Sequence, residues 1–210
     1  MRKLISLGIL VVLLGVADVS ARTYASSKFD ERAQQESPPG ATVHGSISGF
    51  PFVPRLLLAS EVSHVNVHIE NLSARVITFT TVDLDLNGVK FDRSRLINDR
   101  KVRVTSIKKG TVSAEITQQA LSDALHVPVT IADGAMSVKV LGVSVPVTPS
   151  VSASGTLRLS GSGLTRVLSL AIPTTDYVPC IGDVTILAGR IRLSCEIHDV
   201  PPALLDVAQR

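Results

Sequence analysis

The sequence predicts an α+β fold: a long, twisted, antiparallel sheet with one or two helices lying against it. Three observations carry this. Beyond residue 40, apolar and polar residues alternate with a period of two through most of the chain, the pattern of strands with one dry and one wet face. Only residues 22–36 and 117–126 show helical spacing within the rest of the chain. Finally, 45% of the residues are apolar but only 3% are aromatic, with no Trp, so a core has to be built from Val, Leu, Ile and Ala.

In chain order, Arg2 and Lys3 open the sequence, Leu4–Ala17 is a run of 14 residues without a charge, and Val19-Ser20-Ala21 is a small-residue cleavage pattern. This has the form of a secretory signal. The run is shorter than the ~20 apolar residues of a spanning helix, but an uncleaved anchor with Asp18 at the outer interface fits as well. Both readings place the remainder outside the cytoplasm. Residues 22–36 form a polar helix with Ala25, Phe29 and Ala33 at spacing four, and Ser37-Pro38-Pro39-Gly40 ends it. The expected organisation is therefore residues 1–21 as signal peptide or membrane anchor, 22–40 as polar helix and Pro-rich turn, and 41–210 as one sheet domain.

Strands follow. Val65, Val67 and Ile69 alternate with His64, Asn66, His68 and Glu70. Val82, Leu84 and Leu86 alternate with Asp83 and Asp85, and Asn87-Gly88 reads as a hairpin turn. Val102 and Val104 alternate with Lys101 and Arg103; Val112, Ala114 and Ile116 continue the series. Thr117–His126 is a helix with Ala120, Leu121, Ala124 and Leu125 on one side and Thr117 as its cap. Met136, Val138 and Val140 precede a break at Gly142, and Val143, Val145 and Val147 follow it. Val151, Ala153, Leu157 and Leu159 share one face of a Ser-rich strand. Val184, Ile186 and Ala188 lead through Gly189 into Ile191, Leu193, Cys195 and Ile197. Cys195 therefore points inward, with Cys180 just before the same hairpin. Oxidising compartments favour pairing, and a bridge closing a loop of this size contributes ~3 kcal/mol. A redox pair would need a C-x-x-C spacing that is absent.

Composition narrows the function. Seven aromatics argue against the base stacking of single-stranded nucleic-acid binders. Two Cys are too few for a thiolate zinc site. Net charge is +3, yet Lys90–Lys109 alone holds eight Lys and Arg against Asp92 and Asp99. Such a surface suits anionic partners such as phospholipid headgroups or acidic glycans; a solvated strand pair is the plainer reading. Gly45-Ser46-Ile47-Ser48-Gly49 has Ile where a nucleophile elbow needs Ser. His64 and His68 have zinc-protease spacing, but on a strand they lie ~13 Å apart and cannot share a metal. Asp83 and Asp85 read as the wet face of a strand, and His198-Asp199 as a polar strand end. No cofactor motif is present. The most unusual segment is Gly49-Phe50-Pro51-Phe52-Val53-Pro54-Arg55-Leu56-Leu57-Leu58, the most apolar run after residue 21. It is either a core-sealing corner or an apolar mouth for a lipid-like ligand.

Gly49-Phe50-Pro51-Phe52, followed by a Leu-rich turn and a strand with alternating Val, resembles the opening of the LmeA-like phospholipid-binding family, actinobacterial cell-envelope proteins with an N-terminal signal or anchor. The polar helix Thr23–Glu36, the helix bearing Leu121 and Leu125, Pro179-Cys180-Ile181-Gly182 before the last hairpin, and Ile197-His198-Asp199-Val200 at its end agree. Cys180 and Cys195 depart from the family pattern. The resemblance implies an elongated sheet curled around one or two helices, similar to a tubular lipid-binding (BPI-like) half-domain, with an apolar groove and no catalytic residues to carry over. Phe50, Pro51, Phe52, Leu56 and Leu57 are the expected lipid contacts, and Arg100, Lys101 and Arg103 the expected headgroup contacts. The implied function is non-enzymatic phospholipid binding outside the cytoplasm, in support of envelope lipid or lipoglycan assembly. The partners are a phospholipid or lipid-linked ligand and the membrane surface, without nucleic acid. The alternatives are a ligand-free structural or regulatory envelope protein and a hydrolase acting through an unrecognised site.

Overall fold

A computed structural model describes residues 2–35, 37–74, 76–98, 103–132, 134–152, 155–164, 167–172 and 178–200. For residues 2–14, 93, 96 and 97 it describes only the helical backbone. The fold is α+β, with helices packed on two antiparallel sheets.

The apolar start and the polar helix are one continuous helix, α1 (Arg2–Gln35). It packs along β1 (Thr42–Ser48) through Ala21, Ala25, Phe29 and Ala33. The Phe29 ring lies directly on Gly45, where any Cβ would collide with it. A second stripe, one residue out of step, is polar. The Asp30 carboxylate accepts from the Gly45 N–H at 2.8 Å and the Ser26 hydroxyl from the Ile47 N–H at 3.2 Å. These are donors on the open side of an edge strand, so α1 closes one edge of the sheet.

The larger sheet has the order β1-β2-β3-β5-β12-β11, with β4 on the end of β3. Its members are β2 (Glu61–Ala74), β3 (Ile77–Phe91), β4 (Val104–Ser106), β5 (Lys109–Thr117), β11 (Asp183–Leu187) and β12 (Arg190–Ile197). Register places the apolar residues in rungs: Ile69, Val82, Ala114 and Leu193, then Val67, Leu84, Val112 and Cys195. In the next rung Gly110 leaves room for Leu86 and Ile197, whose side-chain carbons would lie 2.7 Å from a Cβ there. Asn87-Gly88 is not a turn. β3 runs straight through it, Gly88 taking φ +62° inside the strand, because β2 continues to pair with β3 as far as Glu61 and Lys90. The turn of that hairpin falls near Val76. A short helix, α3 (Arg93–Asn98), occupies part of the basic stretch before β4.

The smaller sheet has the order β10-β9-β8-β7-β6, formed by β6 (Val129–Ala132), β7 (Ala135–Val140), β8 (Val143–Val151), β9 (Thr156–Ser160) and β10 (Leu168–Ala171). The Ser-rich segment is thus a hairpin, β8 to β9, and not a single strand; Ala153 lies outside the described residues. α4 (Gln118–Leu125) touches both sheets and buries Leu121 completely. Thr117 caps it, accepting from the Ala120 N–H at 3.3 Å. Its Ser122 hydroxyl accepts from the Val129 N–H at 2.9 Å and its Gln118 side-chain carbonyl from the Ile131 N–H at 2.8 Å, closing the edge at β6. Cys180 and Cys195 are disulfide-bonded, pinning the segment before β11 to β12.

Candidate lipid-facing site

The proline-rich run folds as a helical turn, α2 (Phe52–Pro54), that continues into a π-type turn at Arg55–Ala59. Phe50-Pro51 is a cis peptide, and Ser60 turns the chain into β2 with φ 52°. Pro51 and Pro54 have no N–H to offer. Phe52 and Val53 between them do, and the Asp18 carboxylate of α1 takes both, at 2.8 and 2.6 Å. Asp18 is only 5% exposed. A carboxylate brought from 34 residues away thus caps the turn.

This geometry divides the expected lipid contacts. Phe52 is a core residue, while Phe50 is 68% exposed. Pro51 and Leu56 are half-buried and Leu57 is exposed. Leu58 is more exposed than Leu57. The segment is therefore a core seal at Phe52 and an open apolar surface at Phe50, Leu57 and Leu58.

Of the expected headgroup residues, Arg100 and Lys101 lie outside the described residues. Arg103 is half-buried and its carbonyl accepts from the Asp92 N–H. The structure gathers other cations at the turn. Lys108 donates to Glu61 at 2.9 Å, and Lys90 is the cross-strand neighbour of Glu61. The Lys108 hydrogen bond holds the Glu61 carboxyl below its ordinary range, against the opposing effect of burial, and Lys108, Lys90 and Arg55 add their charge. Arg55 donates to the Ser63 hydroxyl at 2.9 Å. Among the described residues, Lys90, Arg55 and Arg103 have no acidic partner in ion-pair contact. Lys109 is paired with Glu196.

The other residues singled out from sequence take structural places. His68 bonds Asp83 at 2.6 Å across the wet face of β2 and β3, and His64 lies 3.4 Å from Asp85. Gly45-Ser46-Ile47-Ser48 is β1, paired with β2. No group of three or more His, Cys, Asp and Glu among the described residues is arranged to hold a metal. A depression of about 490 Å³ opens on β8, β9 and β10, lined by Ser150, Thr156, Arg158, Ser160, Val167 and Ser169. Its lining mixes hydroxyl and guanidinium groups with apolar surface.

Sequence reasoning missed Asp18 as a structural ligand of the turn. The signal was there: Asp18, Ser26, Asp30 and Gln34 keep a spacing of four or eight beside the Ala21, Ala25, Phe29, Ala33 stripe, so both stripes face the same neighbour.

An antiparallel α+β chain with an exposed apolar turn among cations fits a protein that meets lipid. Its family is given by comparison: residues 16–200 match the model of the LmeA-like phospholipid-binding family, and the chain belongs to that family. Neither the curated proteins nor the solved structures give a significant match.

Proposed function

We propose that this is a non-enzymatic phospholipid-binding protein of the extracytoplasmic side of the envelope, which binds or presents a phospholipid or lipid-linked precursor for envelope lipid or lipoglycan assembly. Membership of a phospholipid-binding family over residues 16–200 carries the reading. The exposed Phe50, Leu57 and Leu58 support it as the acyl contact, with Phe52 as the wall behind them. Each acyl CH₂ moved from water onto such a surface gains ~0.8 kcal/mol. Arg55, Lys90 and Arg103 are the candidates for the headgroup phosphate. Export is supported by Arg2-Lys3 before an apolar run and by a disulfide, a bond that oxidising compartments preserve.

A ligand-free structural role is the second reading, favoured by the dense core. Two measurements separate them: mass spectrometry of lipid co-purifying with the full chain, and retention of a fluorescent phospholipid after delipidation. Bound phospholipid that a Phe50→Ser, Leu57→Ser double variant loses supports the proposal. A lipid-free protein that takes up none overturns it.

A further inference from the structure

We infer that α1 is retained in the finished protein as an uncleaved anchor, and that the end of the molecule from which it leaves docks on an anionic phospholipid bilayer. The inference rests on the extracytoplasmic reading above but not on lipid uptake.

Cleavage after Ala21 would remove Asp18, whose carboxylate is the acceptor for the Phe52 and Val53 N–H groups at a nearly closed site. It would also remove Ala21 from the face of α1 that packs on the core. The residues on either side of the cleavage pattern thus belong to one packed unit, and the family match itself begins at residue 16, ahead of that pattern.

Direction then fixes what lies where. Gln34 meets His44, Asp30 meets Gly45, Ser26 meets Ile47 and Asp18 meets Phe52. α1 therefore runs antiparallel to β1, and its first 17 residues continue past the proline turn. At 1.5 Å per residue the helix from Arg2 to Ala17 projects ~24 Å beyond Asp18. Leu4–Ala17 is uncharged and the two basic residues stand at its far end, the arrangement of an anchor with its positive end in the cytoplasm. No linker separates the apolar run from the packed helix. The domain is therefore held at headgroup level, and the short run asks for apolar help at the interface.

That help is at hand. Phe50, Leu57 and Leu58 are exposed beside the point of exit, as are Val16 and Val19 on α1. Arg55, Lys90 and Lys108 surround Glu61 at the same end of the larger sheet. An apolar tip within a cationic rim suits an anionic bilayer surface, each Lys or Arg near it contributing ~1 kcal/mol.

The chain contains no Trp, which makes the test direct. The full chain, tagged at its C-terminus, is exported in a bacterial host, and its N-terminus is read by intact mass. Carbonate-resistant protein that still carries Leu4–Ala21 is expected; soluble protein beginning at Arg22 would overturn retention. Leu58→Trp and Val76→Trp are then compared after reconstitution in phosphatidylglycerol vesicles. Val76 lies at the other end of the β2–β3 hairpin, ~45 Å away along the strands, and is 64% exposed. Trp introduced at position 58 should emit to the blue and be quenched by brominated lipid, while that at 76 stays water-like. Water-like emission from both would overturn docking, and equal quenching in phosphatidylcholine would overturn the anionic choice. Fluorescent-phospholipid retention in the same preparations scores the proposed function separately: an anchored, quenched protein that retains none leaves docking standing.

Discussion

Asp18 is the residue on which the proline turn depends. Replacing it with Ala leaves two backbone N–H groups without an acceptor where water has little access. A cost of about 3 kcal/mol is expected, read by chemical denaturation of the detergent-solubilised chain, whereas Asn, which keeps one acceptor oxygen, should cost less. The two Phe of the motif should respond oppositely. Phe52→Ser removes a core side chain and buries a hydroxyl, and should cost about 4 kcal/mol whether or not lipid is present. Phe50→Ser should barely move stability while lowering phospholipid retention; if Phe50→Ser destabilises as Phe52→Ser does, the turn is a seal only. His68 makes a third case. Its hydrogen bond to Asp83, helped by the charges of Asp83 and Glu70 and opposed by burial, raises its pKa. A raised folded-state value stabilises fully below the ordinary ~6.5 and the contribution is lost as pH rises through the folded value. Denaturation midpoints of wild type and His68→Asn should therefore differ more at pH 5.5 than at pH 8; a constant difference would assign the effect to packing.

Among the elements, both long-edge helices work by side-chain acceptors as much as by apolar contact. α1 serves β1 through Ser26 and Asp30, and α4 serves β6 through Gln118 and Ser122. Ser122→Ala should leave the Val129 N–H unpaired, cost about 1–2 kcal/mol and speed hydrogen exchange at Val129 while Val138, inside the same sheet, stays protected. Strands whose one face is dry, such as Val65–Ile69 and Ile191–Ile197, were legible because period-two alternation follows directly from burial. So was α4, from its cap and its stripe. Asn87-Gly88 misled because a turn signal is local, while the continuation of β3 is decided by pairing with β2. β6 and β10, at four residues each, were too short to show a period. Ser26, Asp30, Gln118 and Ser122 look like ordinary helix-surface residues until the edge beside them is known.

At the scale of the whole molecule, the Cys180–Cys195 bridge ties the last hairpin to the sheet. Cys180→Ser with Cys195→Ser should lower stability by ~3 kcal/mol and keep the fold; two reactive thiols in unreduced, denatured wild type would contradict the bridge. The candidate site was half legible. Its apolar, proline-stiffened character stands in the sequence, but which Phe faces inward does not, because that depends on Asp18. The cations were legible as a cluster, though Arg55 joins them only through the fold. One pairing has a kinetic side. β12 lies against β5 although Arg192 and Glu115, which bond across it at 2.6 Å, are 77 residues apart in sequence. As the chain is synthesised, α1 and β1 to β5 can assemble from near neighbours, but β5 then waits as a bare strand edge until residues 190–197 emerge. Long-range closures of this kind are slow and open to aggregation. The nascent chain is most vulnerable in that interval, so a chaperone guarding the unclosed edge would govern yield more than the stability of the finished sheet.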